Sequence, residues 1–271
     1  MSTRMPVVFV SHGAPDALLK APDTVAAWRD LSLQIPKPTA ILVVSAHWES
    51  SQPTASTANV LDTIYDFSGF SPELYRMKYP APGAPNLAKR AISLLSNSGL
   101  KGELHPNRGL DHGAWVPLSV MFPDADVPVT QISLVRNGNV STHFEIGKAL
   151  APLRDEGVLI LTSGAITHNF GWLDWRADGS KAPLAKAETF NEWVAEKVAS
   201  HDNAALLGYR NAPFGSESHP TEEHFLPFIV ALGAANGDAP LRYRPNFAYG
   251  GLSMDAYVWS DSPSVISEEN I

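Results

Sequence analysis

Ala40-Ile41-Leu42-Val43-Val44-Ser45-Ala46-His47 sets five apolar residues in a row, three of them β-branched, and then turns polar at a serine and, two residues on, a histidine. A run this short, without helical spacing, reads as a strand buried on both faces, the kind a parallel sheet covered by helices requires. The same order recurs upstream, where Val7-Val8-Phe9-Val10 meets Ser11-His12-Gly13, and downstream, where residues 158–162 meet Ser163-Gly164-Ala165-Ile166-Thr167-His168-Asn169. A fourth strand is expected at 127–134. Helices are expected over 24–33, 86–95, 143–153 and 184–200; in the last, Ala187, Phe190, Val194 and Val198 share a face. Strands alternating with helices predict an α/β sheet. A loop rich in Pro, Gly and Tyr over 66–85 is longer than a connector needs, which points to function.

Each of the three strands delivers one imidazole just beyond its end. Ligands of open α/β sheets bind in the crevice outside the carboxyl ends of the strands, so His12, His47 and His168 are expected to converge there although far apart in sequence. Neutral imidazoles bind divalent iron or zinc, and Gly13 beside His12 permits close backbone approach. Two more histidines stand in distinctive settings. His112, in Gly109-Leu110-Asp111-His112-Gly113-Ala114-Trp115, reads either as an acid or base whose basicity Asp111 raises or as a hydrogen-bonded turn residue. His224 follows Thr221-Glu222-Glu223, where Thr221 can cap a helix and the glutamates suit its positive end, and Pro227 implies a kink or a later start. His105, His143 and His201 have no comparable context and are assigned to solvent or structure.

Composition narrows the chemistry. The 271 residues carry 44% hydrophobic and 18% charged side chains, which suits a globular chain with a continuous core, and no repeat or Gly/Ser linker marks a boundary inside 1–271. A formal net charge of -8 without a basic cluster excludes nucleic acid as a partner. With no cysteine there is no disulfide, thiolate nucleophile or Cys-based cluster, so any metal uses His, Asp or Glu. The apolar run from Met5 to Val10 is too short for a signal-peptide core and no run reaches membrane-spanning length, so cytoplasmic residence is expected. The polar tail after Ser260 is expected to fray. G-x-S-x-G, G-x-x-x-x-G-K-[ST], H-E-x-x-H and G-x-G-x-x-G are all missing from the sequence, which argues against serine hydrolysis and nucleotide chemistry.

In order, Ser11-His12-Gly13-Ala14-Pro15, Ser45-Ala46-His47-Trp48, Leu110-Asp111-His112-Gly113-Ala114-Trp115, Thr167-His168-Asn169 and Pro220-Thr221-Glu222-Glu223-His224-Phe225-Leu226-Pro227 resemble the LigB-like class III extradiol dioxygenases and, among these, the 4,5-DOPA branch. Asp66-Phe67-Ser68-Gly69-Phe70, Tyr79-Pro80-Ala81-Pro82-Gly83, Met121-Phe122-Pro123-Asp124-Ala125-Asp126 and Gly251-Leu252-Ser253-Met254 extend the resemblance over nearly the whole chain. It implies one three-layer αβα catalytic domain, 1–271, with a mixed central sheet. It also implies one divalent metal per chain on His12, His47 and His224, Fe(II) for activity with Zn(II) possible as isolated, and His168 as a fourth ligand or an acid-base residue. Glu222 and Glu223 are the lesser substitutes as ligands. The substrates so implied are a DOPA-like catechol and O2, with His112 or His168 as base. Tyr65, Phe67, Phe70, Tyr75 and Tyr79 are candidates to line an aromatic pocket, Arg76 and Lys78 to meet a substrate carboxylate, and His219 to touch substrate. The competing readings are a zinc-dependent hydrolase or amidase on the same scaffold and a catalytically inactive binding relative.

Overall fold

Apolar residues at every position of a strand must bury to both sides, and the strands here do so by strict alternation. In the computed structural model, which describes residues 4–177 and 182–261, Val7, Phe9, Leu42, Val44 and Ile160 point to one hydrophobic cluster while Val8, Val10, Ile41, Val43, Leu159 and Leu161 point to another. Each such side chain, buried to a few per cent exposure or less, contributes about 1.5–3 kcal/mol relative to an exposed one. One cluster is closed by the helices Pro85–Asn97, Val140–Leu150, Ala185–Ala199 and Leu226–Ala235, the other by Pro22–Gln34 and His112–Met121. The result is three layers, helices over both faces of one sheet.

The strands are β1 (Val7–Ser11), β2 (Ala40–Ser50), β3 (Thr54–Ser56), β4 (Glu103–His105), β5 (Val129–Val135), β6 (Val158–Gly164), β7 (Ala239–Tyr243) and β8 (Ala256–Ser260), in the order β4-β3-β5-β2-β6-β1-β8-β7. The central β5, β2, β6 and β1 are parallel; β8 runs antiparallel to β1, β7 to β8 and β3 to β5, so the sheet is mixed. Because β6 lies between β2 and β1, the carboxyl ends of three neighbouring parallel strands open onto one crevice.

The sequence reading needs correction in several places. His47 is not beyond its strand but inside β2, where the pairing with β5 shifts register between Val44 and Glu49. That irregularity bends the strand end and lets it carry both a core run and a functional side chain. The helix expected over 143–153 begins earlier, as Val140–Leu150, and ends in a 3-10 turn, Ala151–Glu156. The helix His112–Met121 was not expected, and the helix expected after Thr221 takes the later start that Pro227 implied, as Leu226–Ala235, buried at all ten residues. Both are apolar all round and carry no amphipathic period, as in helices enclosed on every side. Thr221 caps neither; the later helix starts at Leu226 with Pro227 in its first turn. No helix among the described residues is long and apolar enough to cross a membrane. The tail from residue 262 lies outside the described residues.

Candidate metal centre

Five of the nine histidines meet at the crevice. His12 follows β1 directly, with Gly13 at φ +66°, a left-handed turn that a side chain resists. His47 leaves β2 at the register shift, and His168 stands four residues past β6. His224 arrives from the segment before Leu226–Ala235, which lies directly over the end of β6. Ala165 N–H donates to its carbonyl at 2.8 Å, and a Cβ on Gly164 would stand 2.2 Å from that oxygen, so the approach requires glycine.

His12 Nε2 is 3.0 Å from His47 Nε2, which is 3.3 Å from His224 Nε2. All three ligand atoms lie within 4.8 Å of one another. His168 does not point at this trio in the same way: it stacks on the His224 ring, centroids 3.4 Å apart and planes 6° from parallel. His112 packs against His47 with centroids 4.0 Å apart.

The tautomers follow from the partners of the opposite nitrogens. Ser163 Oγ donates to the Gly113 carbonyl, so at 2.9 Å it accepts the Nδ1 proton of His12. Glu223 Oε1 accepts from His224 Nδ1 at 3.0 Å, and Asp66 Oδ2 sits 3.4 Å from His47 Nδ1. The hydroxyl and the Glu223 carboxylate hold the proton of His12 and His224 on Nδ1, and the Asp66 charge beside His47 Nδ1 favours it there too, which leaves the three Nε2 atoms bare. Three nitrogen lone pairs then face each other across about a hydrogen-bond length with no proton between them, an arrangement that repels unless a cation sits among them. The donor set fits a divalent first-row ion such as Fe(II) or Zn(II).

Electrostatics reinforce this. Burial, then the neighbouring histidines, lowers the pKa of His12 and His224 well below the ordinary value. His47 is lowered to about 4 by burial and by His112, against the opposing pull of Asp111 and Asp66, and His168 to about 4 chiefly by burial. Neutral imidazoles are what a metal needs. His219, buried away from the cavity with Nε2 donating to the Ile166 carbonyl at 2.8 Å, is lowered to about 3 by burial. It packs among Phe190, Tyr209 and Phe225 and does not reach the site, contrary to the role offered for it from sequence. All these folded-state values lie below the unfolded one near 6.5, so the folded chain binds protons less readily than the unfolded chain. Their contribution is complete above about pH 6.5 and is lost as pH falls towards 4. Chelated protein is expected to melt on the order of 10 °C lower at pH 5 than at pH 7.5. A flat melting profile by circular dichroism between those pH values would contradict it.

The carboxylates divide the work differently from the sequence reading. Asp111 does not touch the His112 ring. It caps the helix His112–Met121 by accepting from Ala114 N–H, and it also accepts from Ser45 Oγ at 2.7 Å, from Arg108 Nη2 at 3.1 Å and from Gln131 Nε2. Ser45 Oγ in turn accepts the His47 N–H at 3.2 Å, and Arg108 Nη2 donates to the His47 carbonyl at 3.2 Å. Asp111 thus fixes the backbone of His47. The partner of His112 is Asp66, whose Oδ1 accepts from both the backbone N–H, at 3.0 Å, and Nδ1, at 2.9 Å. Burial pushes the Asp66 carboxyl up, but the His112 hydrogen bonds and the neighbouring imidazoles override it and hold it at about 2. Sequence reasoning missed Asp66 as a site residue; its signals were its place at the head of the overlong loop and in the Asp66-Phe67-Ser68-Gly69-Phe70 segment of the resemblance.

That loop also supplies the cavity wall. A cavity of about 380 Å³ opens beside His47, His112, His168 and His224 and is bounded by Phe67, Phe70, Phe170 and Trp175. Tyr65 and Tyr79 stand behind it, their hydroxyls donating to the Met77 and Phe122 carbonyls, and Tyr75 packs on Phe67. Arg76 and Lys78 are exposed and do not line it. His143, assigned to solvent or structure, is structural and fully buried: its Nε2 accepts from Val135 N–H and its Nδ1 donates to the Asn139 carbonyl.

Residues 4–258 match the family described as the catalytic LigB subunit of aromatic ring-opening dioxygenase. The chain is similar to a Beta vulgaris protein named 4,5-DOPA dioxygenase extradiol, 42% identical over 250 residues that cover 90% of this chain and 92% of the relative. An Escherichia coli K12 protein of the same name is 39% identical, covering 93% and 94%. The crystal structure of an uncharacterized protein from Escherichia coli K12 superposes with a TM-score of 0.78 at 34% identity, covering 95% of this chain and all of that one. Matched over residues 4–258 by the family and over 95% of its length by fold, this chain belongs to the LigB family of aromatic ring-opening dioxygenases.

Proposed function

We propose that this ring-opening dioxygenase cleaves catechols of the DOPA class, that its whole length, 1–271, is one catalytic domain, and that it works in the cytoplasm. In this reading His12, His47 and His224 hold one Fe(II), and His112 and His168 handle protons. The observation that carries it is the meeting of three deprotonated Nε2 atoms at the floor of an aromatic-walled cavity. Extradiol cleavage breaks the ring bond beside, rather than between, the two hydroxyls and inserts both oxygen atoms. A bound Fe(II) supplies the meeting point for catechol and O2 and a path for electron density between them.

The chain's own groups do the rest. Asp66 holds the proton of His112 on Nδ1, leaving Nε2 as the basic nitrogen on the cavity side, fit to take a phenolic proton. His168, neutral and clamped on His224 by stacking and by its backbone bond to the Ser218 carbonyl, is the second proton carrier beside the same cavity. Phe67 and Phe70, packed edge to face with centroids 5.6 Å apart, exclude water and give an aromatic ring an apolar wall. The family match favours this over the zinc hydrolase.

The test is anaerobic Fe(II) loading, admission of air, and oxygen uptake with a catechol panel that includes DOPA. Uptake of one O2 per catechol with a yellow ring-opened product is expected. No uptake from protein whose iron content has been verified overturns the reading, and turnover of esters or amides by the zinc form would replace it.

A further inference from the structure

The cavity beside the histidines shares its wall with two neighbouring cavities. Ser68, Phe70 and Trp175 also border a second cavity of about 290 Å³ that reaches Lys20, and Ala14 and Trp175 border a third, of about 610 Å³, that contains Lys20 and Arg176. A row of rings runs continuously from the metal centre to these chambers. His168 stacks on His224, Phe170 stands 4.9 Å from His168, Trp175 stands 6.2 Å from Phe170, and Tyr249 stands 4.8 Å from Trp175. Phe170 is 65% exposed and Trp175 51% exposed, a large aromatic shelf left in water at the mouth of the site.

At the far end the Tyr249 hydroxyl donates to Asp16, and Lys20 Nζ is 2.8 Å from the same carboxylate. Asp23 accepts from Asn246 Nδ2. The two carboxylates of the large chamber are therefore already served by donors. Lys20 is not exhausted: an ammonium has three N–H donors, one is turned to Asp16, and the side chain remains 64% exposed. With Lys20 lining the chamber, its remaining N–H groups offer an anion charge-assisted donors.

We propose that the catechol site continues past Trp175 into a tail chamber that takes the carboxylate-bearing aliphatic arm of the substrate, with Lys20 as its counter-charge and Asp16 and Tyr249 as the residues that position Lys20. The preferred substrates are then catechols with an acidic arm long enough to cross the Phe170–Trp175 shelf. This assigns to Lys20 the role that sequence offered to Arg76 and Lys78, and it rests on the ring-opening reading for the location of the catechol.

The test compares 3,4-dihydroxyphenyl-acetate, -propionate and -valerate, each against its primary amide, in the iron-loaded wild type and in the Lys20→Met and Lys20→Arg proteins. Expected is a carboxylate-to-amide ratio of kcat/KM that grows along the series to about tenfold or more, carried by KM. It should fall to within about twofold in Lys20→Met and survive in Lys20→Arg. A ratio near one at every length in the wild type, or one kept by Lys20→Met, overturns the proposal. If none of the catechols is opened, the ring-opening reading fails separately. The same six ligands titrated calorimetrically into zinc-loaded protein then still decide the tail chamber, by the same ratio taken on Kd.

Discussion

The His12→Ala protein is expected to lose metal binding and ring opening together while keeping its fold. A three-imidazole site contributes on the order of 10 kcal/mol to binding, so removing one ligand costs roughly a third of that, about two orders of magnitude in Kd. At micromolar Fe(II) the variant is then largely unloaded, and turnover should fall at least ~10³-fold. The stability effect has the opposite character. In chelated protein His12 Nε2 faces the lone pair of His47 at 3.0 Å in a buried setting, so alanine opens a small cavity but also removes a repulsion. Its melting temperature should stay within a few degrees of that of chelated wild type. What should vanish is the rise in melting temperature on adding Zn(II) or Fe(II). A variant that melts far lower without metal would make His12 a structural residue. One that keeps the metal-induced rise would place the ion elsewhere.

This separation of roles reflects what could be read along the chain. The central strands were legible because two-sided burial leaves an unbroken apolar run, and His12, His47 and His168 because each comes after such a run. The alternation of Ile41 and Val43 against Leu42 and Val44 realises that reading atom by atom. The helix His112–Met121 was not legible, and of Leu226–Ala235 only the start was signalled, by Pro227, since a helix buried on every side loses the periodicity that betrays one. Asp111 before the first is a recognisable cap and offered the missing signal. Edge strands β3 and β4, three residues each, are too short to carry a pattern.

At the site, residue type located the imidazoles but could not assign their supports. Ser163, Glu223 and Asp66 decide which nitrogen is free, and two of these three are next to histidines in the folded chain through unrelated elements: Ser163 is 151 positions from His12, and Asp66 is 46 from His112. Sequence proximity misled in the instructive case. Asp111 adjoins His112 in the chain, yet a residue at the N-cap turns its side chain to the backbone of the following turn and away from the next ring.

Asp66 and Asp111 therefore make a decisive pair of substitutions. In Asp66→Asn the amide can still meet one N–H of His112, but the charge that holds the imidazole proton on Nδ1 is gone, so the tautomer with a basic Nε2 is no longer favoured. kcat at saturating Fe(II) should fall about 10²–10³-fold with a much smaller change in KM, within the range of acid-base catalysis. Because Asp66 also lies 3.4 Å from His47 Nδ1, metal affinity should weaken about tenfold. His112→Gln should cost at least as much in kcat, and the double variant little more than His112→Gln alone, since the two act as one unit. Asp111→Asn should invert the pattern. It disturbs a fully buried carboxylate that accepts from Arg108, Gln131, Ser45 and Ala114, so its loss should appear first as about 2–4 kcal/mol of stability in chemical denaturation. Steady-state kinetics, metal titration and urea melts on the four proteins separate these outcomes. Additive kcat losses for Asp66 and His112, or a kcat defect in Asp111→Asn larger than in Asp66→Asn at full metal occupancy, would return the role of imidazole partner to Asp111.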